Sequence, residues 1–109
     1  MTATASDKGL LTYVEHQIEA ARAEQKNFAE AAAQDVENAI SWRMEGARVA
    51  VFTERHSRTV LEHLKLGRDL QPIYENLIDR LVLLASGSHD VQAEIRAIAT
   101  LAKSLKGWL

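Results

Sequence analysis

No cysteine occurs in this chain, and that absence excludes a disulfide scaffold, a thiolate metal site and a cysteine nucleophile together. Proline occurs once and glycine five times in 109 residues, so few positions can break a helix. Strand-favouring residues never alternate over a useful stretch. The longest apolar run is Leu81 to Ala85, five residues, far short of the roughly 20 needed to span a bilayer. The first eight residues, Met1 to Lys8, are polar and lack the apolar run of a signal peptide. The chain reads as a soluble protein that no signal peptide secretes.

What is present is helix-forming. Ala, Leu, Glu, Arg and Lys make up about half of the chain, the compositional mark of long helices and coiled coils. The expected fold is all-α, one helical domain over 1–109, as a helical bundle or coiled coil. Its charge is uneven. The net value is −2, yet residues 1–40 hold seven acids against three bases, and residues 41–68 hold six bases against three acids. An acidic helix followed by a basic one can pair within one bundle or between two copies of it.

Punctuation is clearest in the second half. Gly67 suits the left-handed position just past a helix end, and Pro72 the first turn of the next helix. Gly87 closes that helix, and Ser88 with Asp90 supply a cap and a first-turn acid for another. The spacing predicts an antiparallel hairpin, 72–85 and 89–106. Ile73, Leu77, Leu81 and Leu84 face Val91, Ile95, Ile98, Ala102 and Leu105.

The first 66 residues offer no such breaks. Ser6 or Asp7 can cap a helix, and Leu11, Val14, Ile18, Ala21, Phe28 and Ala32 then follow a heptad seam with Gln25 inside it. The seam slips to four-residue steps at Val36, Ile40 and Met44, a stutter. The expectation is one long amphipathic helix, about 7–66. The two candidate breaks are Gly46, and Thr59 with Glu62 as a capping box. A continuous helix of that span would be ~90 Å long, and the short hairpin would cover about a third of it. The remaining seam must meet another chain or fold back on its own. The interface residues expected on this reasoning are Leu11, Val14, Ile18, Phe28, Val36, Ile40 and Trp42. The apolar chain end Trp108 and Leu109 joins them, docked on its own bundle or on another subunit.

Catalytic and metal chemistry finds no motif. The histidines are 16, 56, 63 and 89; three residues before them stand Tyr13, Thr53, Val60 and Ser86, so the Glu-x-x-His of di-iron bundles is absent. His56 and His63 share a helix face that offers no carboxylate to complete a ligand set. No nucleophile elbow and no phosphate-cradling glycine loop occurs. The reading is no enzyme, no metal and no cofactor. Arg48, Arg55, Arg58 and Lys65 form a basic stripe on the middle helix. It could face nucleic acid or an acidic protein, or lie solvated beside Glu45, Glu54 and Glu62. The net negative charge and the lack of a DNA-binding motif argue against nucleic acid.

Residues 73–109, about a third of the chain, resemble a helical hairpin of small proteins encoded by tailed bacteriophages. The likeness is a Leu-rich helix, a short polar turn, and a closing helix of the form Ala93-Glu94-Ile95-Arg96-Ala97-Ile98 with an apolar end. The turn and closing helix carry less arginine than that group. The resemblance implies a virion or assembly component, or a small accessory protein, in the virion or the bacterial cytoplasm; no functional residue carries over from it. The sequence reading is thus a non-enzymatic, self-associating structural or adaptor protein that binds itself and another protein. The alternative is a small protein that inhibits or regulates a host factor, of the antitoxin or anti-defence type.

Overall fold

The computed structural model describes residues 8–34, 41–87 and 91–109, with side chains at all of these except 32, 34 and 41–45. The fold is all-α: α1 (Lys8–Gln34), α2 (Ser41–Lys65), α3 (Leu70–Ala85) and α4 (Gln92–Lys106). Among the described residues there is no strand, and no helix is long and apolar enough to cross a membrane.

The expected single helix over 7–66 is two helices. α1 ends at Gln34, α2 begins at Ser41, and the two pack along each other. Arg22 pairs with Glu54 and Phe28 meets Gly46, so one number rises as the other falls: the helices are antiparallel. In a continuous helix, residues 22 and 54 would lie ~48 Å apart. Neither candidate break is used. Gly46 is inside α2, and so is Thr59, whose hydroxyl donates to the Arg55 carbonyl at 3.2 Å, a back-bond within the helix and not a cap.

The acidic and basic segments thereby become neighbours within one chain. α2 also packs on α4, α4 on α3, and α3 only lightly on α2.

Both punctuation marks around residue 70 act as expected. Gly67 has φ +86°, its N–H bonds to the Leu64 carbonyl, and the Arg68 N–H reaches the His63 carbonyl. This is a Schellman closure, which needs a left-handed residue at that point. Asp69 is extended, at φ −72° and ψ 151°. α3 starts two residues before Pro72, so the proline still falls in the first turn, where its missing N–H has no partner to lose. The Gly87 N–H closes α3 onto the Leu84 carbonyl. The Ser6, Asp7, Ser88 and Asp90 caps lie outside the described residues.

The core gathers Leu10, Val14 and Ile18 of α1, Val60 and Leu64 of α2, Leu70, Ile73 and Leu77 of α3, and Ile98, Leu101, Ala102 and Leu105 of α4. Each large side chain removed from water there contributes about 1.5–3 kcal/mol. The hairpin seams differ in part from the expected ones. Leu81, Leu84, Val91 and Ile95 are only half-buried, whereas Ala97 and Leu101 are buried.

α1 and α2 hold 27 and 25 residues, α3 and α4 only 16 and 15. At 1.5 Å per residue the first pair reaches ~40 Å and the second ~24 Å. The longest dimension of the molecule is 49 Å. The far end of the α1–α2 hairpin therefore outruns the other two helices.

Candidate functional site

The residues expected to line an interface do not fall on one surface. Val14 and Ile18 are buried in the chain's own core, with Leu11 half-buried against it. Of the two outcomes open to the seam, burial against another chain or a fold back of the same chain, the structure takes the second for these residues: α2 covers them. Phe28 is half-buried, its ring set against Gly46. Val36 and Ile40 lie outside the described residues, as does the Trp42 side chain. Trp108 and Leu109 pack against the core. Trp108 stands 5.6 Å from Tyr13 between ring centroids, tilted by 46°. Of the two docking options open to the tail, it takes its own bundle.

Two features mark the far end of the hairpin. Among the described side chains, none beyond Ala21 in α1 and none before Ala50 in α2 is fully buried. Val51, which follows the buried Ala50 at the edge of that stretch, is 40% exposed. Elsewhere the outer face of α3 presents Val82 and Leu83, 64% and 69% exposed.

The basic stripe is exposed at Arg48, Arg55, Arg58 and Lys65, but part of it is engaged. The Arg55 guanidinium sits 5.1 Å from the Phe52 ring centroid. Arg58 donates to Glu54 at 3.5 Å, and Glu54 also takes a 2.6 Å bond from Arg22. The cleft of about 380 Å³ beside Arg58 and Lys65 is lined by Glu15, Glu19 and Glu62 as well as by Arg22. A cleft with both signs of charge selects no single sign of ligand.

The structure assembles one cluster that sequence reasoning missed. Glu94, 8% exposed, sits in the first turn of α4. Its Oε1 accepts from His56 Nε2 of α2 at 3.0 Å, from Arg80 Nε of α3 at 3.0 Å and from Arg80 Nη2 at 2.8 Å. One carboxylate oxygen thus ties three helices. The carboxylate that His56 lacked on its own helix arrives from another. Burial pushes the Glu94 carboxyl up; the hydrogen bonds and charges of Arg80 and then His56 outweigh it and hold the group below its ordinary value. A signal was present: Glu94, Ile98, Leu101 and Leu105 follow a 4-3-4 spacing, so Glu94 occupies a seam position where a carboxylate needs a partner.

Beside this cluster, between α2 and α3, lies a cavity of about 140 Å³. Val60, Ile73 and Leu77 form its buried apolar part; His56, His63, Arg80, Thr59 and Asn76 supply polar groups. Arg68 donates to His63 Nδ1, which leaves the neutral ring's proton on Nε2. Among the described residues, no three histidines or carboxylates converge as a metal site. Comparison with known proteins finds no matching family model, no matching curated protein and no matching solved structure.

Proposed function

We propose that this chain is a non-catalytic, self-associating helical subunit, structural or adaptor in role, whose contact surface is the far end of the α1–α2 hairpin. The observation that carries the reading is the gradient of burial along that hairpin. Its near half is sealed by α3 and α4, while no described side chain past Ala21 or before Ala50 is fully buried. Two helices alone bury little of each other's apolar surface, and most helical stability comes from packing against further elements. A second copy's hairpin end would supply the missing two helices of a four-helix arrangement.

Phe28 belongs to this end; Val36 and Ile40 lie outside the described residues, as does the Trp42 side chain. The setting we propose, a bacteriophage particle or its assembly, rests on the likeness of residues 73–109 alone. The inhibitor alternative would use the basic stripe, and it has less support because Arg58 is tied through Glu54 to Arg22.

Val51→Glu tests the reading. Val51 is exposed in the single chain, so a charge there costs the fold little. In an apolar interface it would lose hydration without gaining a partner. Light scattering at micromolar concentration should show an oligomer for the wild type and a smaller species for the variant. Identical masses for the two proteins would count against this surface.

A further inference from the structure

We infer that the end of the bundle where α2 and α4 finish and α1 and α3 begin docks on the surface of an anionic lipid bilayer. This inference does not rest on the self-association proposed above, whose surface is the opposite end of the molecule.

The fold gathers this end from separate stretches of chain. Leu10, Leu64, Leu70 and Leu105 meet in the core, so the first turns of α1 and α3 and the last turns of α2 and α4 lie together. Lys8, Lys65, Arg68, Lys103 and Lys106 stand there, all exposed. Among the described residues only Glu62 and Asp69 oppose them within these turns. The chain as a whole carries −2, so this end runs against the total.

Helix dipoles account for part of the arrangement, since Lys65, Lys103 and Lys106 occupy last turns, where a cation is favoured. They do not account for Lys8, which opens α1, where a cation is disfavoured. Nor do they supply counter-charges: among the described residues none of the four lysines forms an ion pair, whereas Arg22, Arg58 and Arg80 all do. The next acids along α1 and α3 are Glu15 and Glu75, ~10 Å behind Lys8 and ~8 Å behind Leu70. That is about one Debye length at physiological salt, so a surface meeting this end senses the cations first.

The form of the charge selects the partner. The cations are spread over the end of a molecule whose two shorter dimensions are 31 and 20 Å, which suits an extended field and not a single anion. Four of the five are lysines, compact charges without the fork that reads base edges. Leu66, 71% exposed, follows Lys65 directly, and the half-buried Trp108 and Leu109 close the same end. The headgroup layer of an anionic bilayer accepts both lysines and apolar side chains. A phosphate backbone offers Leu66 nothing.

The experiment is co-sedimentation of the protein with phosphatidylserine–phosphatidylcholine vesicles, with pure phosphatidylcholine vesicles as the control without net charge. The protein should bind the first and not the second at low salt. Binding should vanish near 1 M salt, where the Debye length falls to about 3 Å. Each basic residue at such a surface strengthens binding roughly fivefold, so the double variant Lys103→Gln, Lys106→Gln should bind at least about tenfold more weakly. Leu66→Gln should weaken binding about threefold, through the lost apolar contact. Arg96→Gln removes a charge from α4 ~10 Å behind Lys103 and should change binding less than about twofold. All these positions are exposed, and circular dichroism checks that each variant is folded. Equal binding to the two kinds of vesicle overturns the proposal, as does a double variant that binds like the wild type. Tighter binding to a duplex oligonucleotide than to the vesicles at the same salt also overturns it, in favour of nucleic acid.

Discussion

The ring of Phe28 occupies the space that any side chain on Gly46 would need: a Cβ placed there would stand 2.5 Å from Phe28 Cζ and 2.7 Å from Cε1. The glycine that seemed, along the sequence, to weaken a long helix is the point at which α1 closes onto α2. Its cost in helix propensity is about 1 kcal/mol relative to alanine. Gly46→Ala in the wild type should therefore return less than that amount, because the ring must shift. In a Phe28→Ala background the same substitution should return the full ~1 kcal/mol. A double-mutant cycle in urea reads the difference directly. Equal effects in the two backgrounds would show that the ring is not held against position 46.

Stability should depend on pH through Glu94. Its folded pKa is depressed, so its contribution is fully present above the ordinary glutamate value and is lost as pH falls through the lower, folded one. Urea midpoints measured from pH 7 downward should decline below about pH 4.5 in the wild type and decline less in Glu94→Gln. An acid limb that Glu94→Gln leaves unchanged would mean that other carboxylates govern it. The histidine partner adds a second check, since His56→Phe removes one donor and should cost about 1–2 kcal/mol at pH 7.

Core position, and not hairpin membership alone, should rank the large-to-small substitutions. Leu77→Ala and Ile98→Ala, both buried, should cost ~2–4 kcal/mol. Ile95→Ala and Leu81→Ala, half-buried, should cost less, about 1–2 kcal/mol. Leu83→Ala, on the outer face, should stay within about 0.5 kcal/mol. Equal midpoint shifts for Ile95→Ala and Ile98→Ala would contradict the placement of α4.

The tail should matter to the single chain. Trp108 packs on Tyr13 and the core, and aromatic pairs add about 0.5–1.5 kcal/mol beyond the area they bury. Trp108→Ala should lower stability by about 2 kcal/mol and leave helix content, read by circular dichroism, nearly unchanged. An unaltered urea midpoint would indicate a frayed end.

The all-α fold, the stop at Gly67, the proline in the first turn of α3 and the stop at Gly87 were legible because each rests on local chemistry. The separation of α1 from α2 was not. Residues 35–40 read Asp-Val-Glu-Asn-Ala-Ile, with neither proline nor glycine, and the apolar spacing slips there without stopping. A heptad seam specifies that a helix needs a partner, but not whether the partner is another chain or the same chain turned back. The hairpin seams were half legible for a similar reason. Leu81 and Ile95 satisfy the periodicity, but α2 also packs on α4 and turns the buried face toward Ala97 and Leu101. Glu94 escaped notice because its partners, His56 and Arg80, lie 38 and 14 residues away. Nothing in the spacing of one helix reveals a charge supplied by two others.

Sedimentation equilibrium of the wild-type protein over a micromolar concentration series tests self-association most directly. A self-associating chain should show a mass at least twice its own 12.1 kDa, falling toward 12.1 kDa on dilution or in Val51→Glu. A single 12.1 kDa species across the whole series would contradict it.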